Sequence, residues 1–362
     1  MQILTARTDG PAGQDQLQRW GRRWADAVHA GQAAGLDGAT AWHPAEELAA
    51  LRVGDPERVT TLLAATDGER VVGGGRVDLP QRDNPDLAHV AVAVPPAYRG
   101  RGVGTALVRE VVRLAAAEGR SLLLAEISRP LEPGTAPEDT GPTWPGSRLA
   151  GRVGMRRGLV DVRRDLALPA DLERLTRLRQ QVRARTGGYA LRVWTGPTPP
   201  EDRARMAVLS ARMSTDAPMG DLHLEPEVWD EARVVAGEER AAAQGREAVT
   251  AVAVDATGEW VGFTQLVHSR WTPDRLHQGD TLVLRRHRGR RLGLALKLAA
   301  LEEATSRWPQ ARVVSTYNAA GNAPMIAVNE AMGFRPAELL EEWQGSVEDV
   351  LRAVGTADAR AG

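Results

Sequence analysis

No cysteine occurs anywhere in the 362 residues. That absence removes disulfides, thiolate metal sites and a cysteine nucleophile together, so no acyl intermediate on a cysteine is available to this chain, and it suits a reducing cytoplasm. Lysine is nearly as scarce: Lys297 is the only one among 46 basic residues, a pattern that reads as a GC-rich coding bias toward arginine. Charge of one sign is not in excess, because 47 acidic residues leave a formal net charge of -1. There is thus no bulk field to hold nucleic acid or an anionic membrane, and the expected partner is a small molecule. No stretch approaches the roughly 18 consecutive apolar residues of a membrane span. The start, MQILTARTDGPAG, has no basic segment followed by an apolar one, so the expectation is a soluble, cytoplasmic protein. Phenylalanine occurs only twice and tyrosine three times, which leaves ten tryptophans as the main aromatic bulk.

The length exceeds the usual size of one core and implies two domains of roughly 150 to 200 residues. A diverged repeat supports that division. Ala91-Val-Ala-Val94 runs through Pro-Pro-Ala-Tyr-Arg99-Gly100-Arg101-Gly102-Val103-Gly104 into a helical pattern from Thr105 to Glu118. Half a chain later, Thr281-Leu-Val283-Leu-Arg-Arg-His-Arg288-Gly289-Arg290-Arg291-Leu292-Gly293 runs into Leu294 to Arg307. Each copy reads as a short apolar strand, a glycine-rich turn and a helix with apolar residues three and four apart. A further strand follows each helix, Ser121 to Ile127 and Ala311 to Tyr317, and then a helix ending at Gly154-Met155 or Gly333-Phe334. Upstream, each half carries helical segments and a hairpin signal, Val59–Ala65 with Arg70–Val77 and Ala248–Val254 with Trp260–Val267. Ala170 to Arg185 reads as a connecting helix closed by Gly187-Gly188. The expected domains are 1–169 and 188–345, with a linker helix over 170–187 and a tail over 346–362.

A strand feeding a glycine-rich turn that opens a helix directs successive backbone N–H groups and the positive end of the helix dipole at one point, which favours a phosphate. Glycine lets the backbone approach the anion, and Arg99 or Arg288 could add a charge-assisted contact. The string is weak by itself, since ordinary tight turns and dinucleotide folds use it as well. No Gly-Lys-Ser/Thr follows, and no acidic residue closes a second βα unit at the dinucleotide-fold distance, so those readings lose ground.

At these residues the chain resembles the GNAT superfamily of N-acetyltransferases, whose acyl-CoA motif is Gln/Arg-x-x-Gly-x-Gly/Ala. Arg99, Gly102 and Gly104 match it fully; Arg288 and Gly293 match in the second copy, with Arg291 at the middle glycine position. Thr316-Tyr317-Asn318, Asn322-x-x-Met325, Asn329 and Gly333-Phe334 look like the family's fifth strand, fourth helix and following turn. Two copies in one chain further resemble the tandem, mycothiol synthase-like members, in which one copy often keeps the chemistry. Mycothiol synthesis itself is not implied, because the tyrosine expected near the end of the fourth helix is absent.

The resemblance implies an α/β (mixed α+β) class: two tandem folds, each a mixed, mostly antiparallel sheet flanked by helices, with strands four and five splayed. It implies acetyl-CoA as acyl donor and no metal. The pantetheine arm would pair with strand four, here Val92, Ala93 and Val94 in the first copy and Leu282, Val283 and Leu284 in the second. The pyrophosphate would sit at Arg99, Gly100, Arg101, Gly102, Val103, Gly104 and Thr105, or at Arg288, Gly289, Arg290, Arg291, Leu292, Gly293 and Leu294, with Asn318, Asn322 and Met325 also on the coenzyme.

Direct transfer needs a group to take the amine's proton and an acid for the leaving thiolate. The family frequently carries a carboxylate about eleven residues before the motif arginine; here that position is His277, with Asp280 nearby on the same strand, and either could relay a proton. The usual thiolate acid, a tyrosine four residues before the Gly-Phe turn, is replaced by Asn329. That leaves Tyr317 or a bound water, although Tyr317 is more often core than catalytic. The first copy offers His89 and no acid. Trp229, Trp260 and Trp271 precede strand four and could line an acceptor pocket, against a default role as structural bulk. Pro-rich Arg129 to Pro145 reads as a surface loop rather than a lid. The leading expectation is transfer of acetyl to the amine of a small molecule by a monomer or homodimer. A non-catalytic acyl-CoA-binding or sensing protein is the alternative, and a bare scaffold the third reading.

Overall fold

A computed structural model describes residues 1–38, 40–132, 134, 143–216 and 218–358, with the backbone alone over 356–358. Most of the Pro-rich stretch between Arg129 and Pro145 therefore lies outside the described residues. The chain divides into two compact units, the first comprising Met1–Asp161, Gly220–Leu224 and Glu338–Gly362, and the second Val162–Met219 and Glu225–Ala337.

The first unit contains β1 (Gln2–Arg7), α1 (Pro11–Gln32), α2 (Pro44–Val53), β2 (Arg58–Asp67), β3 (Arg70–Pro80), β4 (Leu87–Ala93), α3 (Val103–Ala117), β5 (Leu122–Pro130) and α4 (Pro145–Arg152). Strands β1 to β4 form an antiparallel run, β4 meets β5 in parallel, and the far edge of β5 is taken by the chain's last strand. Three successive glycines in β3 allow α1 to lie close: a Cβ on Gly74 would stand 2.8 Å from Trp24 Nε1. Trp24, Leu17 and Trp20 of α1 are buried there against Leu62 and Ala64 of β2.

The second unit repeats the plan. It opens with the end of β6 (Arg156–Ala167) and continues through α5 (Leu172–Arg183), β7 (Ala190–Thr195), α6 (Arg203–Asp216), α7 (Glu231–Ala243), β8 (Arg246–Val254), β9 (Trp260–Ser269), β10 (Arg275–Val283), α8 (Leu292–Arg307), β11 (Val313–Ala319) and α9 (Ala323–Met332). Strand order is β6-β11-β10-β9-β8-β7, with β10 and β11 parallel and the β7 to β10 neighbours antiparallel. Asp255 shapes the β8–β9 turn by accepting from the Thr257 and Glu259 amides at 2.9 and 3.0 Å. Helix α8 is apolar nearly all round, and Leu294, Ala295, Leu298, Leu301 and Ala304 enter the core with Val249, Val261 and Leu276 of the sheet.

Two segments differ from the sequence expectation. The stretch expected to be a linker helix holds α5, whose Leu175, Leu178 and Val182 are buried in the second unit's core, so it is a structural helix of that unit. Residues 346–362, expected to be a tail, include α10 (Val347–Asp358). The strand before it, β12 (Arg335–Ser346), pairs antiparallel with β5 from Glu338↔Pro130 to Ser346↔Leu122. Trp343, Val347, Val350 and Val354 then bury their apolar stripe against Leu107, Val111 and Ala115. An apolar residue every third or fourth position gives that helix a face that must be covered.

Candidate active site

Both glycine-rich turns adopt the same backbone. Gly100 and Gly102 have φ of 74° and 80°, and Gly289 and Arg291 have φ of 79° and 59°. Only glycine enters this left-handed region freely, so Arg291 holds it at a cost of about 1 kcal/mol. Gly102 and Arg291 are the N-caps of α3 and α8, and neither helix has a side-chain cap. The first helical bonds run from Ala106 N–H to Gly102 O and from Ala295 N–H to Arg291 O, each 3.0 Å. The three preceding amides, Val103 to Thr105 and Leu292 to Leu294, thus form the open positive end of each helix.

The motif arginines act on the protein rather than outward. Arg99 donates Nε to Val94 O and Nη2 to Gly31 O, both at 2.9 Å. Arg288 repeats the first contact, Nε to Val283 O at 2.9 Å, and turns Nη2 to Asp216 Oδ2 at 3.0 Å. Each guanidinium ties the end of its strand to the turn and to the C-terminal end of a helix, α1 or α6. Asp216 also receives Arg285 at 3.2 Å. Arg290 and His287 both bond the Tyr189 hydroxyl, His287 Nδ1 at 2.9 Å. These residues, with Gly289, Asp255 and Thr257, line a cavity of about 570 Å³ beside the turn.

Next to each turn the central strands part. Strands β10 and β11 pair only over Arg275–Gln278 with Val313–Thr316, and β4 and β5 only over Leu87–His89 with Leu122–Leu124. The remaining stretch of each central strand, Thr281–Val283 or Val90–Ala93, keeps its partner on the other side and presents a free edge toward the gap. In β10 the parting coincides with a bulge between Gln278 and Thr281. Gln278 Nε2 pins it to Thr264 Oγ1 and Gln265 O at 2.8 and 2.7 Å, and Thr264 Oγ1 donates to Asp280 O at 3.1 Å. Strand β4 pairs with β3 without a bulge.

The candidate proton carriers fall in different settings. His277 lies where β10 and β11 are still paired, opposite Ser315. Burial first, then Arg246, Arg275 and Arg163, hold its pKa down to about 4. It is neutral at pH 7 and a poor proton acceptor. Asp280 sits in the bulge itself; its side chain reaches solvent yet is closely surrounded by protein. Desolvation, and secondarily Glu227, raise its carboxyl above the usual carboxylate range. Glu227 in turn accepts from Trp229 Nε1 at 2.8 Å, and Arg233 lies 4.6 Å over the Trp229 ring. Trp260 is a core residue packed on Trp194, and Trp271 bonds Gln244 O at 2.9 Å.

On β11, alternation sets Tyr317 on the face of Ser315, and Asn318 on the other. Ser315 Oγ donates to Asp165 at 2.7 Å. Asn318 accepts from Asn329 Nδ2, and Asn329 Oδ1 accepts from Lys297 Nζ at 2.8 Å. Asn329 is fully buried, so the residue at the expected tyrosine position lies inside the core. Asn322 caps α9, accepting from Met325 N at 3.3 Å. Among the described residues no group of three or more His, Asp or Glu could hold a metal.

The Acetyltransferase (GNAT) family pattern matches residues 31–132 and 217–334, one stretch for each turn. The chain belongs to the GNAT acetyltransferase family. It is 30% identical over 342 residues to a mycothiol acetyltransferase of Nocardia farcinica (strain IFM 10152), covering 90% of this chain and 96% of that one. Among solved structures it is similar to a tandem GNAT protein from the clavulanic acid biosynthesis pathway, at a TM-score of 0.74 and 28% identity over 96% of this chain and 99% of that one. A GCN5-related N-acetyltransferase from Sphaerobacter thermophilus shares the fold at a TM-score of 0.61 and 16% identity, covering 95% and 96% of the two chains.

The two GNAT copies diverge beside their central strands. In the first, Arg76 of β3 joins Glu47 of α2 and Asp78, the latter at 2.6 Å, and Asp78 also takes the Thr60 hydroxyl at 2.5 Å. His89 stands opposite Asp78, and burial with Arg58 lowers its pKa to about 4. No carboxylate occupies β4. Three groups of the second GNAT copy were not anticipated from sequence. Asp216 and Glu227 lie in segments without a motif. Lys297 had a signal, its uniqueness among 46 basic residues, which reads as coding bias until its burial is known.

Proposed function

We propose that the second unit transfers acetyl from acetyl-CoA directly to the amine of a small-molecule acceptor, with Asp280 as the proton acceptor. The observation that carries this is the coincidence at one end of β10 of a free strand edge, a bulge bearing a carboxyl whose pKa is raised and a helix start with open amides. Residues Arg288 to Leu294 fit a diphosphate, since the amides of Leu292, Gly293 and Leu294 face no carbonyl and a Cβ on Gly289 would meet nothing within 4 Å. The edge at Leu282, Val283 and Leu284 offers backbone groups to a pantetheine arm, which carries amides of its own. The Tyr189, His287 and Arg290 cavity offers an aromatic face and cationic donors for the adenosine end.

In this reading the Asp280 carboxylate takes the proton of the attacking amine as the C–N bond forms. The C–S bond then breaks, and the thiolate gains a proton from water or Tyr317. His277 is set aside as base by its burial and by the arginines around it. The similarity to a mycothiol acetyltransferase supports acetyl transfer, and Glu227 beside Asp280 suits an acceptor that arrives as a cation. The first unit's intact Arg99–Thr105 turn supports coenzyme binding there without turnover, since its strand carries no carboxylate.

The reading is tested by acetyl-CoA consumption against a panel of amines, with wild type beside Asp280→Asn. Turnover in the wild type and its loss in the variant, with coenzyme binding kept, support it; turnover unchanged in Asp280→Asn overturns the assignment. One observation favours a second reading, an acyl-CoA sensor: the tyrosine position is a buried, fully engaged asparagine. Tight coenzyme binding without turnover of any amine would select it.

A further inference from the structure

Lys297 is the chain's only lysine, and it is also the most deeply buried cationic side chain of the second unit's core, at 1% exposure. Wherever else this protein needs a base it uses arginine, which keeps its charge in any setting and spreads five donors over a planar fork. At 297 the site offers one acceptor, Asn329 Oδ1 at 2.8 Å, and the face of Phe334, whose ring centroid is 5.6 Å from Nζ. A single-point ammonium fits that site and a fork does not.

The contacts form a chain with a direction. Lys297 Nζ donates to Asn329 Oδ1, and while it is protonated it can only donate, so Asn329 turns its oxygen to it. That turns the Asn329 amide NH2 to Asn318, where it meets Oδ1. Asn318 has then used its oxygen inward, and its remaining polar group is an NH2 donor. Asn318 is half-buried, and it lies beyond Thr316, the last β11 residue paired with β10, where the two strands have parted. Without the lysine both amides could rotate by half a turn and show Asn318's oxygen instead, at equal cost.

We propose that Lys297 is a positioning residue that fixes the polarity of this amide chain, so that Asn318 presents an N–H donor to a carbonyl oxygen of the acyl-coenzyme arm lying between β10 and β11. The inference rests on the acetyltransferase reading of this unit and deepens it. An amide donor held in one orientation stabilises a carbonyl oxygen that gains charge, whereas a freely rotating one is averaged with its acceptor form.

The unique lysine makes the test clean. Protein grown with lysine labelled at Cε and Nζ gives one side-chain signal, that of Lys297. Saturating acetyl-CoA is expected to shift it, and Asn318→Ala to abolish the shift while calorimetry still records coenzyme binding. Lys297→Met keeps an apolar side chain of similar length in the core. It is expected to lower kcat for acetyl transfer, or for acetyl-CoA hydrolysis where no acceptor serves, by about tenfold or more with coenzyme affinity retained. Coenzyme binding that Arg288→Ala weakens, with an unmoved Lys297 signal, overturns the proposal alone, as does an undiminished kcat in Lys297→Met. Absence of coenzyme binding by the wild type overturns the acetyltransferase reading, and this proposal with it.

Discussion

Arg288 donates its Nε to the backbone oxygen of Val283 at 2.9 Å, and half a chain earlier Arg99 does the same to Val94 at the same distance. A motif arginine that looks suited to a phosphate is used instead as a clamp. It closes the end of the central strand onto the turn, so the amides of the helix start are held without help from a ligand. Its second arm reaches a helix terminus, through Gly31 O in one unit and the Asp216 carboxylate in the other. Preorganisation of this kind lowers the ordering cost of binding an anion.

Arg288→Ala is therefore expected to weaken coenzyme binding at the second turn without removing a ligand contact. A hydrogen bond from a charged donor contributes roughly 1.5 kcal/mol, or about tenfold in affinity. Arg288→Lys should recover little, because one ammonium cannot serve Val283 O and Asp216 together. Calorimetric titration with CoA reads both variants, and unchanged affinity in Arg288→Ala would refute the clamp.

At Arg291 the prediction concerns stability. Its φ of 59° lies in the same left-handed region as the 80° of Gly102 at the equivalent cap, so both turns use that backbone conformation. Arg291→Gly is expected to raise the unfolding midpoint, by up to about 1 kcal/mol, and Gly102→Ala to lower it by about as much. Urea titration followed by circular dichroism compares the two, and the opposite ordering would count against strain at Arg291.

The strand–turn–helix repeat was legible because each of its parts is local. Period-two apolar runs, positive-φ glycines and period-three-and-four helices are all written within about thirty residues. The helix expected from Leu294 begins at Leu292, and the hairpin partners Ala248–Val254 and Trp260–Val267 lie inside β8 and β9. The splay was foreseen only through family resemblance, because two residues of pairing or ten look alike in one strand's sequence. What escaped was long-range. Nothing between Trp343 and Val354 says which core will receive them, and an apolar stripe of that spacing fits either. Asp280 and His277 read alike in sequence, and only the fold shows one in a bulge and the other buried among arginines. Lys297 was visible as a count but not as a position, since burial on an apolar helix depends on what packs around it.

Asp280→Asn carries an expectation in two directions. As the proton acceptor its loss should reduce kcat by about 100-fold to 10,000-fold. The raised carboxyl pKa also predicts an acid limb in the pH–rate profile above the ordinary carboxylate range, because the base is active only once deprotonated. For stability the sign is reversed. An acid whose folded pKa is raised binds its proton more tightly when folded, so its contribution is present below the unfolded value and disappears as pH rises through the folded one. The asparagine variant should thus be inactive and more stable than wild type at pH 7, checked by turnover and by urea midpoints on the same samples.

Removal of residues 347–362 should unfold the first unit. Val347, Val350 and Val354 are 5%, 0% and 2% exposed, and their burial contributes on the order of 5 kcal/mol, comparable to the whole stability of a small domain. The deletion also uncovers Leu107 and Val111 of α3, the helix that begins at the first turn. Limited proteolysis is expected to cleave the truncated chain within residues 1–161 under conditions that leave the full chain intact, and equal resistance would show α10 to be dispensable.

Lys297 gives the chain its one lysine titration. Burial lowers its pKa from 10.5 to about 7. The folded protein holds that proton less tightly than the unfolded chain, so below about 7 both states carry it and stability does not change with pH on its account. Between about 7 and 10.5 the folded state has released it and the unfolded state has not; stability rises with pH across that window. No other lysine and no cysteine shares that window; Glu342, which burial pushes up to about 7, titrates at its lower edge with the opposite sign. Urea midpoints of wild type are expected to climb from pH 7 to 9.5. Lys297→Met should be flatter over the same range and more stable at pH 7, because it never bears the cost of an ammonium in an apolar core. Parallel curves for the two proteins would mean that Lys297 keeps an ordinary pKa, and that the buried amide chain is anchored by a permanent charge.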